Sequence, residues 1–170
     1  MKIRLTKQEL HECQLLGQDT VKICKMQKLA PRLDTSDENR VMSNVMGFKA
    51  EYAVAKVLGC KLPTLNVVTD GGVDLWVDDI GIDVKYTKRT DGDLIFDSFD
   101  DFKAEVAVLV STTEKPEVVD IVGWLDRRGF EKKAKDHDYG YGARKVVSNT
   151  DLLPLENLWT KVVDARFGPN

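Results

Sequence analysis

Asp74, Asp83 and Lys85 stand at a spacing that suits phosphate chemistry. They lie within residues 71–86, GGVDLWVDDIGIDVKY, which read as two short β-strands joined by a tight turn at Asp78-Asp79. Side chains alternate faces along a strand, so Asp83 and Lys85 point the same way. With a two-residue loop, Val77 pairs with Ile80 and Asp74 falls across from Asp83. With a four-residue loop over residues 78–81, Asp74 faces Lys85 instead. Both registers keep the three residues on one face, because a change of two residues preserves parity. Cross-strand partners sit roughly 4.5–5.5 Å apart at Cβ. Two carboxylates that close repel each other unless a divalent cation lies between them. The opposite face, Val73, Leu75, Val77, Ile82, Val84 and Tyr86, is a core surface. An ordinary amphipathic hairpin that turns two Asp and a Lys to water produces the same pattern. Trp76 argues against it, because it lies on the polar face beside Asp74.

A third acid must be positioned by another element. Residues 39–58, with Gly59 following, read as a glycine-ended helix. Glu51 shares a face of that helix with Gly47, Phe48, Val54, Ala55 and Leu58 at three- and four-residue spacings. A carboxylate on an apolar stripe is unfavourable unless it is paired or metal-bound. Glu51 is therefore either a boundary residue reaching water or a third acid aimed at the hairpin.

Glu51 on a helix, Asp74 on one strand and Asp83-x-Lys85 on the next resemble the PD-(D/E)XK nuclease superfamily. That group includes restriction endonucleases, archaeal Holliday-junction resolvases and phage nucleases. The run Gly47-Phe48-Lys49-Ala50-Glu51 looks like the G-x-x-x-E helix opening of its resolvase-like branches. The resemblance covers roughly residues 45–125. Val73 stands where Pro usually precedes the first Asp, and Asp83 where Glu is the more frequent acid. The resemblance implies an α/β fold with a restriction-endonuclease-like core, a mixed central β-sheet flanked by helices, here with an extra N-terminal helix. It implies one domain, divided into an N-terminal helical extension (1–38), a catalytic core (39–125) and a C-terminal basic helix, loop and final helix (126–170). It also implies a metal-dependent DNA endonuclease acting on branched or structured DNA in recombination, in a phage or bacterial setting, with a homodimer as its working form.

The chemistry fits those residues on its own terms. Phosphodiester hydrolysis needs an attacking water and charge stabilisation on the phosphate oxygens, which hard cations bound by carboxylates supply. Asp74 and Asp83 would bridge Mg²⁺ (or Mn²⁺), with the Val84 carbonyl as a further ligand. Glu51 would hold the same ion through water, or a second ion. Lys85 would orient or deprotonate the attacking water, so Lys85→Ala should abolish cleavage and leave folding intact.

Composition sets the remaining frame. At 170 residues the chain is long enough for one full core. It has no apolar run near 18 residues, so no membrane span is expected, and the polar start Met1-Lys2-Ile3-Arg4 does not read as a secretory signal. The expected location is the cytoplasm of a bacterium or of a phage-infected host. Cys13, Cys24 and Cys60 are scattered, and neither they nor His11 and His137 have zinc spacing. They read as reduced cysteines at helix positions, and a Cys nucleophile paired with His137 has no motif behind it.

A net charge of −3 argues against nonspecific DNA coating, but its distribution matters more. Residues 70–105 hold eleven acids against four bases, so a phosphate backbone needs metal and outside bases to approach them. Residues 126–145 hold seven bases against four acids and could supply them, although a solvated helix surface is the competing explanation. Lys88 and Arg89, just past the Asp-x-Lys strand, are the best placed for phosphate contact. Tyr139-Gly140-Tyr141-Gly142-Ala143-Arg144-Lys145 mixes aromatics, glycines and bases. It either grips nucleic acid, through Tyr141, Arg144 and Lys145, or is a connection packed on the core.

Thr6-x-x-Glu9 is a capping box opening a long helix to about residue 29, which either caps the sheet or forms a dimer interface. Strands are expected near 66–68, 94–96, 106–111 (buried on both faces), 118–125 and 146–147. A helical turn is expected over 98–103, a short basic helix after 125, a flexible loop over 136–142 and a final helix over 151–159. Two further readings remain open: an exonuclease, and a non-catalytic nucleic-acid-binding or assembly factor on the same fold. A third, a plain structural domain with a coincidental Asp-x-Lys, predicts that Asp74 and Lys85 do not converge with Glu51.

Overall fold

In the computed structural model of the chain, residues 1–29, 35–65, 71–140 and 142–167 are described. The first half runs β1 (Lys2–Arg4), α1 (Lys7–Met26), α2 (Asp37–Leu58), β2 (Leu75–Val77), β3 (Ile80–Thr87) and β4 (Leu94–Phe96). The second half runs β5 (Val106–Thr112), β6 (Val118–Asp126), α3 (Arg127–Lys133), β7 (Lys135–Asp138), β8 (Ala143–Val147) and α4 (Leu155–Phe167). The fold is mixed α/β.

β5 organises the layers. Its run of apolar residues is buried on both faces, as expected for a strand covered above and below. It pairs parallel with β3 and antiparallel with β6, in a mixed sheet of order β1-β6-β5-β3-β2. On one face Val106, Val108 and Val110 join Ile82, Val84 and the α2 residues Ala50, Ala53, Val54 and Leu58 in the larger core. On the other, Ala107 and Leu109 join Leu94, Phe96, Phe102, Phe130 and Val147 in a second core. That second core lies under α3 and a three-stranded sheet of order β4-β8-β7. Phe96 stacks on Phe102 at 4.6 Å, and Phe130 meets both edge-on.

Local signals explain the helices. Thr6 Oγ1 accepts the Glu9 amide while the Glu9 carboxylate accepts the Thr6 amide at 2.6 Å, so the capping box is formed. α2 opens on Ser36 and ends on Gly59, whose φ of 66° is a left-handed cap that glycine takes without strain. α1 packs across α2 rather than capping the sheet. The two backbones meet at Gly17, where a Cβ would lie 2.5 Å from Val45 Cγ2 and 2.9 Å from the Val45 amide nitrogen. We expect Gly17→Ala to destabilise the fold by about 1–3 kcal/mol, because backbone cannot move aside as a side chain can. Chemical denaturation checks this; an alanine variant as stable as wild type would mean the helices separate freely.

Three expectations change. β1 forms where no strand was expected, tied to β6 by its ladder and by the Met1 ammonium on Asp120 at 2.8 Å. Residues 136–142 are not simply a flexible loop. Residues 135–138 form β7, paired with β8, and the Asp138 carboxylate accepts the amides of Gly140 and Gly142 at 2.7 and 3.0 Å, closing the turn. The final helix starts at Leu155, after a 3-10 turn over Asn149–Asp151. The strand expected near 66–68 lies outside the described residues.

Candidate active site

The hairpin takes the two-residue loop. Val77 pairs with Ile80 and Leu75 with Ile82, and Asp78 adopts φ 52° at the turn. The ladder ends at Leu75, and Asp74 then leaves it. Its amide donates to the Ile82 carbonyl at 2.9 Å, and its Oδ2 accepts the Val84 amide at 2.6 Å. Asp74 thus brackets Asp83, with backbone on one neighbour and carboxylate on the other. Its carboxylate lies along the edge of β3 that β2 leaves open, rather than on the face that parity alone assigns it. Strand geometry sends the N–H and C=O of one residue to the same edge, so the Val84 carbonyl faces that edge too.

Asp83 and Lys85 do share a face. Lys85 Nζ lies 2.6 Å from Asp83 Oδ1 and 2.7 Å from Oδ2. Asp83 is only 2% exposed, whereas the Lys85 side chain is about 38% exposed. Lys85 Nζ also sits 4.7 Å from the Phe96 ring centroid. A carboxylate this buried is tolerated because an ammonium pairs with it, donating to Oδ2. A cation taken up at Asp83 must therefore compete with Lys85 for its oxygens.

Glu51 comes from the other layer. α2 packs on the Ile82 and Val84 face, whereas Asp83 and Lys85 project toward the second core. Glu51 is half-buried, and its Oε1 lies 4.0 Å from where a Gly47 Cβ would stand. Its charge reaches Cys13. Burial pushes that thiol up to about 12; Lys49 opposes the rise, and Glu51 and Glu12 add to it. A buried thiol held that high is not a nucleophile at neutral pH.

The donors at that edge are all oxygen, which suits a hard divalent cation. Among the described residues, no three His, Cys, Asp or Glu side chains stand together ready to hold a metal. Asp74 and Asp83 offer carboxylate oxygens of the kind Mg²⁺ takes, with water completing its shell.

The bases assigned to DNA divide. Arg89 forms a two-point pair with Asp91, both contacts at 3.0 Å. Arg144 pairs with Asp97 at 3.0 Å. Lys145 pairs with Asp136 at 2.5 Å and lies over the Phe99 ring. Lys88 is exposed and makes no ion pair among the described residues. Tyr141 lies outside them.

A cleft of about 540 Å³ opens beside the Asp83–Lys85 pair, between β3 and the β7–β8 hairpin. Lys85, Arg89, Lys135, His137 and Tyr139 line it. Lys135 and His137 carried no site signal in the sequence, because β7 is entirely polar and gives no periodicity that would place it against β3. No protein-family model, curated protein or solved structure matches the chain.

Proposed function

We propose that the chain is a divalent-metal-dependent deoxyribonuclease that hydrolyses phosphodiester bonds, probing branched or otherwise structured DNA, on a restriction-endonuclease-like core. The observation that carries this reading is the bracket at the β3 edge. Asp74 holds both neighbours of Asp83, and Lys85 reaches over the Asp83 carboxylate from the same face. Asp74, Asp83 and the Val84 carbonyl would hold the metal, with Glu51 reaching the edge from α2 through water. The ion, Mg²⁺ or Mn²⁺, would supply charge stabilisation to the phosphate oxygens and acidify the attacking water.

The protein's own groups have separate tasks. Asp74 fixes the edge geometry through the Val84 amide. Asp83 sets the position of Lys85 Nζ. Lys85, with its partly exposed ammonium, donates hydrogen bonds to a phosphate oxygen or orients water for in-line attack. A homodimer and a cytoplasmic setting belong to the same proposal. Among the described residues no helix is long and apolar enough to cross a membrane.

The closed Asp83–Lys85 pair also favours a second reading, a nucleic-acid-binding factor on this fold that does not cut. A nicking assay on supercoiled plasmid separates the two. The nuclease reading expects nicking in Mg²⁺ or Mn²⁺, its loss in EDTA, and a loss of about 100-fold or more in Asp74→Asn. Binding without nicking in any metal would leave the second reading standing.

A further inference from the structure

We infer that the cleft between β3 and the β7–β8 hairpin is a subsite for an unpaired nucleotide, with the edge-to-face His137–Tyr139 pair presenting an aromatic face to its base. The inference rests on the nuclease reading for the role of Lys85 at the inner end of the cleft.

Three observations point to this ligand. The first is size. About 540 Å³ lies in the range of roughly 300–1,000 Å³ typical of sites that enclose a small molecule, enough for a nucleotide or two and too small for a duplex. The second is the wall. His137 and Tyr139 alternate onto one face of the hairpin and pack edge to face, with ring centroids 4.3 Å apart at 68°, and Tyr139 keeps 43% of its surface exposed. These rings are not absorbed by either core, and they stand on a braced support. Asp138 pins the turn. The Tyr139 hydroxyl stands near Asp93, which itself accepts the Asn149 amide at 3.1 Å. Aromatic faces held this way are a stacking platform for bases.

The third is charge. Duplex binding is driven by neutralising many phosphates. Arg89, Arg144 and Lys145 are already occupied by Asp91, Asp97 and Asp136. The cleft is lined by Lys85, Arg89 and Lys135 and by Asp91, Asp93 and Asp136; Lys85 is paired with Asp83 and Arg89 with Asp91, and Lys135 makes no ion pair among the described residues. A lining with no surplus of positive charge suits one or two phosphates of a single strand rather than a duplex. An unpaired base seated between the hairpin and β3 would bring its own phosphate toward Lys85, making an unpaired or splayed nucleotide beside the scissile bond the feature recognised.

The test uses the full chain in EDTA, so that binding is read without cutting. The probes are a short single-stranded DNA carrying one 2-aminopurine, a fully paired duplex of the same sequence, and a flap in which the 2-aminopurine is unpaired at the branch. The expected result is fluorescence quenching and tight binding with the single strand and the flap. His137→Ala and Tyr139→Ala should each weaken this about ten-fold or more, with duplex affinity changed less than two-fold. Circular dichroism and thermal unfolding establish that the variants are folded. Tyr139→Phe, which keeps the ring and loses only the hydroxyl, should retain most of the quenching. Equal affinity for duplex and single strand, or aromatic variants that bind as wild type does, would overturn the subsite. Cleavage in Mg²⁺ by the same preparations keeps the two proposals apart. Cutting that persists with unaffected aromatic variants overturns the subsite alone, whereas base quenching that persists with no cutting overturns the nuclease reading alone.

Discussion

Lys85→Ala should lower stability by about 1–3 kcal/mol, and adding Asp83→Asn should restore most of it. Asp83 is 2% exposed; Lys85 Nζ donates to its Oδ2 and lies 2.6 Å from Oδ1. Removing one partner of a fully buried pair typically costs about 3–5 kcal/mol, because the other charge is left uncompensated. The smaller figure follows from the partial exposure of Lys85, which lets water replace some of the lost interaction. Asparagine at 83 removes the charge and keeps the shape, so the double variant should be more stable than Lys85→Ala alone. Urea unfolding of wild type, both single variants and the double variant gives the coupling energy. A coupling within about 0.5 kcal/mol of zero would mean that the pair is not mutually dependent. Alanine at 85 is thus not the silent change that the sequence suggests, and loss of cleavage in that variant has to be separated from loss of fold.

Mg²⁺ should stabilise the wild-type protein and leave Asp74→Asn almost untouched. A ligand at ten times its Kd stabilises the folded state by about 1.4 kcal/mol. For a chain of this size that is a rise of roughly 3–6 °C in Tm. Asparagine can still accept the Val84 amide through its side-chain carbonyl, so Asp74→Asn in EDTA should unfold near the wild-type temperature. Asp74→Ala cannot, and it should lose about 1–3 kcal/mol by stranding a buried amide. The pair of variants separates the charge of Asp74 from its hydrogen bond. Because Lys85 competes for Asp83, Lys85→Met should bind Mg²⁺ more tightly than wild type. A metal-induced shift in Asp74→Asn equal to that of wild type would remove Asp74 from the ion site.

Much of this architecture is legible in the residues. The capping box at Thr6, the glycine after Leu58 and the apolar run that opens β5 each carry a strong local signal, and each element forms where that signal lies. The period-two pattern of β3 places Asp83 with Lys85 correctly. β1 and β7 carry no strand signal of their own, for a physical reason. Lys2–Arg4 has a single apolar residue, and Lys135–Asp138 has none, so both are strands by virtue of their partners rather than their own propensity. Asp74 shows the limit of parity arguments. Its side chain replaces a main-chain partner at the sheet edge, and nothing in alternation encodes that. The bases past β3 show another limit, since their acidic partners Asp91, Asp97 and Asp136 become neighbours only through turns and cross-strand pairing.

The decisive experiment is single-turnover cleavage by wild type, Lys85→Met and Lys85→Ala/Asp83→Asn, each at a temperature where it is folded. The substrates are linear duplex, nicked duplex, single-stranded, flap and four-way-junction DNA, with Mg²⁺, Mn²⁺ or EDTA. Metal-dependent cutting by wild type, strongest where unpaired nucleotides are present and reduced about 100-fold or more in both variants, is the predicted result. No cutting of any substrate, or cutting by Lys85→Met at the wild-type rate, would contradict it.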